Sequence, residues 1–280
     1  MRVASLHRHP LKGGAIEDCE HLELAPEGPV GDRRWMIVDG NGRFLSQREL
    51  PKLATVGAKS VGEELDLGLG GEKVHACSTA NRADVVVWRD TVSATVADDG
   101  ANDALSKYLG RDVRLVAMDN QTKRTMSGAF ASGQVSFADG YPILVALTAS
   151  LDALNDQIAL RGRDRVPMAR FRPNIVIEGA TAWEDDSWEV VRIGNAELRF
   201  VKPCDRCTVT TVDQRSGSFS GEEPLATLRQ IRMSGDPRIS GVLFGWNVVS
   251  SNCATISVGD PCEVISTREA WPIKERHQIA

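Results

Sequence analysis

The stretch Lys202-Pro-Cys-Asp-Arg-Cys-Thr-Val-Thr-Thr-Val-Asp213 places two cysteines three positions apart and ends in a β-branched tail. A Cys-x-x-Cys pair is typical of a zinc site, a thioredoxin-like redox pair or two unrelated buried thiols. The sequence has no second Cys-x-x-Cys and no His-x3-5-His pair, which disfavours structural zinc at this stretch. A redox pair should open a helix, whereas residues 208–212 predict a strand or extended loop.

A thiol beside a fixed cation is the remaining functional interpretation of this stretch. Arg206 directly precedes Cys207 and would favour its thiolate form, which binds soft metals or attacks electrophiles. On spacing alone, two buried structural thiols are an equal alternative.

The same stretch resembles the cofactor-binding signature of the MOSC (molybdenum cofactor sulfurase C-terminal) domain, and more narrowly that of the amidoxime-reducing branch of the family. Other segments resemble family motifs in the same order along the chain: His9-Pro-Leu-Lys-Gly13, Gly31-Asp-Arg-Arg-Trp35, Phe137-Ala-Asp-Gly-Tyr-Pro142, Phe171-Arg-Pro-Asn-Ile-Val-Ile177, Glu184-Asp-Asp-Ser-Trp188 and Gly259-Asp-Pro261. Together these segments span nearly the whole chain.

Composition excludes some classes of protein and is consistent with the resemblance. With 280 residues, a net charge of −5 and a pI near 5.6, the chain is long enough for a well-buried core and lacks the basic surface of a nucleic-acid-binding platform. No segment has the roughly 20 apolar residues needed to cross a bilayer, and the first six residues are too short and polar for a secretory signal. We therefore expect a cytoplasmic protein without membrane or nucleic-acid partners. Mitochondrial family members carry an N-terminal anchor, which we do not expect here.

Local patterns predict a β-rich α+β protein in which a small N-terminal β-barrel-like lobe packs on a MOSC-type β-barrel domain with a few helices. Strands are predicted at residues 3–7, 20–24, 34–39, 65–69, 84–88, 91–96, 113–118, 174–177, 188–193, 196–201, 208–212, 244–249 and 262–266. Helices are predicted at residues 101–109, 150–160 and 224–233. The expected divisions are an N-terminal domain of residues 1–115, a cofactor-binding domain of residues 116–268 and a C-terminal tail of residues 269–280. The polar segment 121–133 is expected to form a mobile loop that could gate the site.

The resemblance implies which residues contact a pyranopterin molybdenum cofactor. Cys207 would be the single protein ligand of the metal and the catalytic residue, whereas Cys204 would be structural. Lys12 would bind the terminal phosphate, with Arg33 and Arg172 as further cationic contacts and Asn174 at the pterin edge. Further cofactor contacts would come from the following residues: Gly13, Asp139, Gly140, Tyr141, Asp205 and Arg206. Some relatives have serine in place of Gly13 and Thr-Ser in place of Gly140-Tyr141, so contacts there would use the backbone or the tyrosine hydroxyl.

The activity implied by the resemblance is molybdenum-dependent reduction of N-hydroxylated compounds such as amidoximes, hydroxylamines and N-hydroxylated base analogues, by cleavage of the N–O bond. No iron–sulfur spacing of four cysteines follows residue 207, so a separate flavin, haem or iron–sulfur protein would supply the electrons. Sulfoxides, N-oxides and nitrate are alternative substrates. A different class of function is a sulfur carrier or cofactor-binding protein in which Cys207 holds a persulfide or acts as a ligand thiol. A sugar- or nucleotide-binding β protein is the least specific alternative.

Overall fold

The computed structural model describes residues 1–126 and 128–274, and β-strands dominate them. In the first half of the chain the strands are β1 (Arg2–Arg8), β2 (Glu17–Cys19), β3 (His21–Ala25), β4 (Gly28–Pro29), β5 (Trp35–Val38), β6 (Gly57–Val61), β7 (Glu64–Leu69), β8 (Glu72–Ala76), β9 (Ser78–Val87), β10 (Asp90–Ala97) and β11 (Arg114–Ala117). In the second half they are β12 (Ile143–Leu147), β13 (Ile175–Glu178), β14 (Trp188–Ile193), β15 (Ala196–Arg206), β16 (Val212–Asp213), β17 (Ser218–Phe219), β18 (Val242–Ser250), β19 (Ala254–Ser257) and β20 (Cys262–Thr267).

The helices are few and short. The α-helices in the described residues are α1 (Asp99–Leu109), α2 (Thr148–Leu160) and α3 (Leu225–Ile231), and single turns of 3₁₀ helix lie at Pro51–Thr55, Met168–Phe171, Glu184–Ser187 and Thr208–Thr211. None of these helices has both the length and the apolar character needed to cross a membrane. The prediction of a β-rich α+β protein with few helices is confirmed.

The largest sheet is a curled half-barrel of eight strands in the order β2-β1-β13-β12-β18-β15-β14-β20. Its strands β12 and β13 are parallel because α2 provides the crossover between them, and the other neighbouring strands are antiparallel. Alternating residues such as Leu6, Val145, Ile177 and Leu198 are buried in one core with Trp246. This sheet carries the strand that ends at the cysteine motif.

The N-terminal half forms a second layer with its own core. The strands β5-β11-β10-β9 form one sheet and the hairpins β6-β7-β8 form another, with α1 packed between them. Asp98 caps the N-terminus of α1, because its side chain accepts a hydrogen bond from the N–H of Ala101, and Gly110 with φ +70° caps the C-terminus. The shared core includes Trp35, Leu67, Leu105 and Leu115. These contacts hold the N-terminal barrel domain together.

The first thirty or so residues belong to sheets of the second half. Strand β1 pairs with β13, with Leu6 opposite Ile175, and β3 pairs with β19, with Leu24 opposite Ala254. The chain therefore crosses between the two halves before it builds the N-terminal domain, and the two halves share backbone hydrogen bonds.

Two predicted segments lie partly outside the described residues. In the predicted mobile loop 121–133, Ser127 is not described, whereas Arg124 is 4% exposed and donates hydrogen bonds to the carboxylate of Asp90 and the carbonyl of Ser136. In the predicted tail 269–280, residues 275–280 are not described, whereas Trp271 is 9% exposed and its backbone N–H donates to Asp186. The described part of each segment is thus anchored to the core.

One predicted strand is wrong. Residues 208–211 form a 3₁₀ turn, and only Val212 and Asp213 are extended. The Thr210 hydroxyl donates to the Cys207 carbonyl at 2.9 Å, and the Thr211 hydroxyl donates to the Thr208 carbonyl at 2.7 Å. Threonine hydroxyls that bond backbone carbonyls three positions back compete with strand pairing, which outweighs the β propensity of this segment.

Candidate functional site

A single cavity between the two halves of the molecule contains every residue that the sequence analysis assigned to the site. It encloses about 950 Å³, part of it open to solvent. The predicted residues that line it are Lys12, Gly13, Arg33, Asp139, Gly140, Tyr141, Arg172, Asn174, Asp205, Arg206 and Cys207. These residues come from positions far apart in the sequence, so the fold brings them together.

Cys207 lies where the longest strand of the large sheet ends. Strand β15 pairs with β18 up to Arg206, and Cys207 follows in an extended conformation (φ −112°) directly before the 3₁₀ turn. Its thiol is exposed and lines the cavity. A rigid sheet therefore presents an accessible thiol to any ligand in the cavity.

Arg206 contacts the other cysteine of the motif. Its guanidinium donates to Cys204 Sγ at 2.9 Å and to the Phe171 carbonyl at 2.7 Å. Burial raises the pKa of Cys204, an effect that the nearby Arg206 partly opposes. Cys204 is thus a partly buried thiol that contacts Arg206 and also lines the cavity.

The cation beside Cys207 is Arg48, which the sequence analysis did not select. A guanidinium nitrogen of Arg48 lies 3.7 Å from Cys207 Sγ, and the same group lies 4.7 Å from the ring centroid of Trp88. The predicted pairing of Arg206 with the Cys207 thiolate is therefore corrected to Arg48.

Lys12 is a buried ammonium at the base of the cavity. It is 8% exposed, donates to the Phe137 carbonyl at 2.8 Å and forms an ion pair with Asp139. Burial lowers the pKa of Lys12, and the Asp139 carboxylate opposes that shift. Desolvation would raise the pKa of Asp139, but the charge and hydrogen bond of Lys12 and a hydrogen bond from Trp88 hold it below its usual value.

Arg33 is held by a fully buried polar network. Its guanidinium forms an ion pair with Asp32, which also accepts hydrogen bonds from the His9 N–H at 2.7 Å and from the Asn174 amide at 3.1 Å. Burial and the neighbouring Arg33 and Arg172 lower the pKa of His9 well below its ordinary value, so this histidine is neutral. The contacts of Arg33 with Asp32 and Asn174 therefore fix the orientation of its guanidinium.

Asn174 supports the wall of the cavity from behind. It is fully buried, and its amide group donates to the His7 carbonyl and to Asp32. Its side-chain oxygen accepts hydrogen bonds from the Leu144 N–H and from Arg33. The prediction that this amide donates and accepts at a ligand edge is therefore corrected, because these contacts use its hydrogen-bonding capacity within the protein.

Arg172 is a second buried cation in the lining of the cavity. It is 9% exposed and donates to the Gly14 carbonyl at 2.7 Å and to the Gln214 side chain at 3.0 Å. Burial, together with the positive charge of Arg33, lowers the pKa of Arg172 to about 9. Since this value lies above neutral pH, the guanidinium stays charged near pH 7.

Unusual backbone conformations occur at this site. Of the non-glycine residues with positive φ in the described chain, Arg33 (φ +50°) and Arg172 (φ +54°) line the cavity, and Trp88 (φ +58°) donates to Asp139. Such conformations cost free energy and tend to occur where the surrounding structure is held for a function. The fourth, Trp183, lies outside the lining.

The remaining predicted residues contribute less specific contacts. Gly13 has φ +78° and its carbonyl accepts a hydrogen bond from Gln47 at 2.8 Å, so the turn after Lys12 uses a conformation that favours glycine. Burial raises the pKa of Tyr141, so its hydroxyl remains protonated at neutral pH. The Asp205 carboxylate is exposed and pairs with Lys202.

Gln47 and Gln214 form a bridge that the sequence analysis also missed. Each side-chain amide donates to the other, at 3.1 and 2.9 Å, and Gln214 also accepts from Arg172. This bridge joins the segment that carries Arg48 to the segment that follows the cysteine motif. No spacing in the sequence could have indicated it, because the two residues lie 167 positions apart.

The electrostatics of the cavity favour an anionic ligand. Its lining includes the cations Lys12, Arg33, Arg48, Arg172 and Arg206. The lining carboxylates are Asp139 and Asp205, and each already pairs with a lysine. Crowded, partly desolvated cations attract negative charge, and guanidinium groups suit phosphate oxygens. The arrangement can therefore hold a phosphorylated molecule with a soft, thiol-binding centre near Cys207.

Comparison with known proteins identifies two family models along the chain. Residues 132–263 match the model described as the MOSC domain, and residues 1–112 match the MOSC N-terminal beta barrel domain. The second match corresponds to the N-terminal layer described above, together with the strands that pair with the other half.

Similar proteins are found over most of the chain. Mitochondrial amidoxime-reducing component 1 of Danio rerio is 29% identical over 274 residues, covering 92% of this chain and 83% of that relative. The human protein of the same name is 30% identical, covering 92% of this chain and 81% of that relative. Mitochondrial amidoxime reducing component 2 of Macaca fascicularis is 37% identical, with coverage of 92% and 82%.

Proposed function

Because the chain belongs to the MOSC-domain family that includes the amidoxime-reducing components, we propose that it is a molybdenum cofactor-dependent reductase of N-hydroxylated compounds. The observation that carries the proposal is the exposed Cys207 thiol in the same cavity as a crowd of buried and half-buried cations. A thiolate suits a sulfur-rich, high-valent metal centre, and the cations suit a terminal phosphate. Amidoximes, hydroxylamines and N-hydroxylated base analogues are the proposed substrates.

The residues of the cavity fit a phosphorylated pterin that carries molybdenum. Ser46 Oγ and Arg206 Nε are buried polar atoms with no hydrogen-bond partner within the described chain, and both residues line the cavity. A buried polar atom without a partner costs free energy, so a ligand rich in donors and acceptors would relieve that cost. The fit thus includes both charge and hydrogen bonding.

Different residues would hold different parts of the cofactor. Cys207 would be the protein ligand of the metal, while Lys12, Arg33 and Arg172 would hold the phosphate and orient the pterin. Arg48 would contact the metal-binding sulfur, because its guanidinium lies 3.7 Å from Cys207 Sγ. When bound, the cofactor supplies two-electron redox chemistry and an acceptor for the oxygen of the substrate.

The protein's own contribution is orientation and access. The buried network of Asp32 and Asn174 fixes Arg33, and the amide bridge between Gln47 and Gln214 holds the two walls together. Part of the cavity is open to solvent, which can deliver the protons that N–O cleavage consumes. We propose that a separate flavin, haem or iron–sulfur protein supplies the electrons.

An activity assay tests the proposal directly. The protein is produced in a host that makes the cofactor and is given an aromatic amidoxime with a chemically reduced viologen dye as electron source. We expect the amidine as product with wild type and with Cys253→Ala, which changes an exposed cysteine outside the cavity, and no turnover with Cys207→Ala. Equal activity of Cys207→Ala and wild type would refute the assignment, and full turnover with NADH alone would refute the separate donor.

A further inference from the structure

A cluster of histidine, cysteine and carboxylate side chains lies on the outer face of the hairpin formed by β7 and β8. In this hairpin Asp66 is directly opposite His75, and Leu65 is directly opposite Ala76. Side chains alternate between the two faces of a strand, and the face that carries Leu65 and Ala76 is buried in the N-terminal core. The opposite, exposed face therefore carries Glu64 and Asp66 from one strand, with His75 from the other and Cys77 just beyond its end.

The side chains on this face are already close together. His75 Nε2 lies 3.0 Å from Glu64 Oε2, and Cys77 Sγ donates to Glu64 Oε1 at 3.4 Å. One ligand atom from each of these three residues lies within 4.8 Å of the others. Tetrahedral zinc, with ligands at about 2.0–2.3 Å, places its ligand atoms roughly 3.3–3.8 Å apart. Only small side-chain movements would thus be needed to bind an ion between them.

Asp66 supplies the outer contact that metal-binding histidines usually have. The second ring nitrogen, His75 Nδ1, lies 2.7 Å from Asp66 Oδ1. A carboxylate on the far side of the ring fixes the tautomer and orientation of the imidazole and makes the inner nitrogen a better ligand. Nε2 therefore faces the Glu64 and Cys77 side of the cluster.

The backbone of Cys77 is fixed independently of the cluster. Its N–H donates to the Asp98 carboxylate at 2.9 Å, and the Asp98 N–H donates to the Cys77 carbonyl at 3.0 Å. Asp98 also caps the N-terminus of α1. The thiol is thus presented from a rigid junction between a strand and a helix, which favours a preformed site.

An ion pair without metal explains only part of this arrangement. A protonated His75 between two carboxylates accounts for the contacts with Glu64 and Asp66, both of which are about half exposed. Ion pairs at such exposed positions contribute little stability, so a metal ion could displace the proton between His75 and Glu64. The ion pair does not explain why the Cys77 thiol also contacts the Glu64 carboxylate. A set of nitrogen, sulfur and oxygen donors is suited to zinc.

We propose that Glu64, His75 and Cys77 bind a divalent zinc-class metal ion, with Asp66 as the residue that orients His75. None of these residues lines the cavity that contains Cys207, so this site is independent of the proposed reductase activity. Three protein ligands leave the fourth position of a tetrahedral ion for water. Bound metal would tie the β7–β8 hairpin to the junction before α1 and so stabilise the N-terminal domain.

The test uses Co²⁺ and Zn²⁺ on the purified 280-residue chain after removal of loosely bound metal. Cobalt reports a thiolate ligand by an intense near-ultraviolet absorption band, and zinc affinity is measured by competition with a chromophoric chelator. The variants are Cys77→Ser, Glu64→Gln and Asp66→Asn, with Cys253→Ser as the matched exposed cysteine outside the cluster. All are also made in a Cys204→Ser/Cys207→Ala background, so that thiols of the cavity contribute no signal.

We expect one ion per chain, with the cobalt band present in wild type and in Cys253→Ser. The band should disappear in Cys77→Ser, and zinc affinity should fall in Glu64→Gln and fall about 10-fold or more in Asp66→Asn, as for other outer carboxylates of metal-bound histidines. Two results would overturn the proposal: no thiolate band in the Cys204→Ser/Cys207→Ala background, or a band that persists when Cys77→Ser is added to that background. Because the cavity thiols are absent there, failure of this site would leave the reductase proposal unaffected.

Discussion

At the scale of single residues, the cavity carries an electrostatic cost that a bound anion would relieve. Burial and the positive charge of Arg33 lower the pKa of Lys12 and lower the pKa of Arg172 to about 9, because the charged form of each is destabilised where it lies. Arg172 nevertheless remains a cation near neutral pH, and Lys12 forms an ion pair with Asp139. Their arrangement favours a negatively charged ligand over an empty, hydrated cavity.

Arg48 provides a test at this scale. Replacing it with glutamine removes the charge 3.7 Å from Cys207 Sγ, so we expect kcat/KM for an N-hydroxylated substrate to fall by about 10-fold or more. The unfolding free energy should change by no more than about 1 kcal/mol, the typical size of the lost contact with Trp88. Steady-state kinetics and urea denaturation measure the two effects. Arg48→Lys should retain part of the activity, and Arg229→Gln on the exposed side of α3 serves as control.

The residues of the site were predictable to the extent that short motifs carry them. Lys12, Arg172 and Cys207 each lie in a recognisable segment, and the cavity contains all three. Arg48 has no such motif, and its contact with Cys207 spans 159 positions of sequence. The prediction that Arg206 contacts Cys207 is wrong for a related reason, because Arg206 contacts Cys204 instead. The backbone direction at the end of β15 decides which of the two thiols the guanidinium contacts, and the spacing of the motif does not reveal that direction.

At the scale of secondary-structure elements, the 3₁₀ turn Glu184–Ser187 lies outside the cavity lining and makes contacts that stabilise the fold. The Asp186 carboxylate forms a buried ion pair with Arg232 at 2.8 Å, and the Asp186 backbone carbonyl accepts a hydrogen bond from the backbone N–H of Trp271. The neighbouring Asp185 is 2% exposed, and burial together with the charge of Asp186 raises the pKa of Asp185 to about 7. The turn Glu184–Ser187 thus connects the start of β14 in the large sheet to the segment around Trp271, which follows β20.

The raised pKa of Asp185 predicts how stability depends on pH. The unfolded state loses this proton near pH 4, whereas the folded state keeps it until about pH 7, so the contribution of Asp185 to folding stability falls as pH rises through that window. Asp185→Asn should remove this dependence and raise the unfolding free energy at pH 8 by about 2–4 kcal/mol. Urea denaturation between pH 4 and 8 measures it. The exposed Asp103→Asn should keep the wild-type profile, and an Asp185→Asn profile parallel to wild type would contradict the assignment.

Elements with a clear periodic pattern or cap were predictable, and others were not. Helix α1 was expected from the glycine that ends it, whereas β12 was missed because all of its residues are buried and no alternation marks it. The segment Thr208–Thr211 was predicted as a strand because β-branched residues favour strands. Its threonine hydroxyls instead donate hydrogen bonds to nearby backbone carbonyls. Strand propensity alone does not account for such local hydrogen bonds.

At the scale of the whole molecule, the site exists only because the two halves share sheets. Lys12 and Arg48 come from the N-terminal half, and Arg172 and Cys207 come from the other half. The N-terminal strand β1 lies between β2 and β13 in the large sheet. The composition and strand patterns predicted a β-rich protein of two lobes, but pairing over such distances in sequence is not contained in any local pattern.

The shared sheets predict that the second half does not fold alone. A fragment of residues 116–268 lacks β1 and β3, so the edges of β13 and β19 lose their partners and apolar side chains such as Ile175 and Ile256 lose cover. We expect this fragment to be aggregated or unfolded by circular dichroism, and to regain native-like structure when residues 1–115 are co-expressed. A cooperative unfolding transition of the isolated fragment would contradict this prediction.

The most direct test of the central claim is the metal and pterin content of the chain purified from a host that makes the cofactor, compared with Cys207→Ala. The account predicts close to one molybdenum and one pterin per wild-type chain, measured by elemental analysis and by the fluorescence of the oxidised pterin. It predicts that the Cys207→Ala protein either lacks the metal centre or contains an inactive one. The Cys253→Ala protein should have the same molybdenum and pterin content as wild type. Wild-type protein with neither molybdenum nor pterin would contradict the account and turn attention to a persulfide on Cys207.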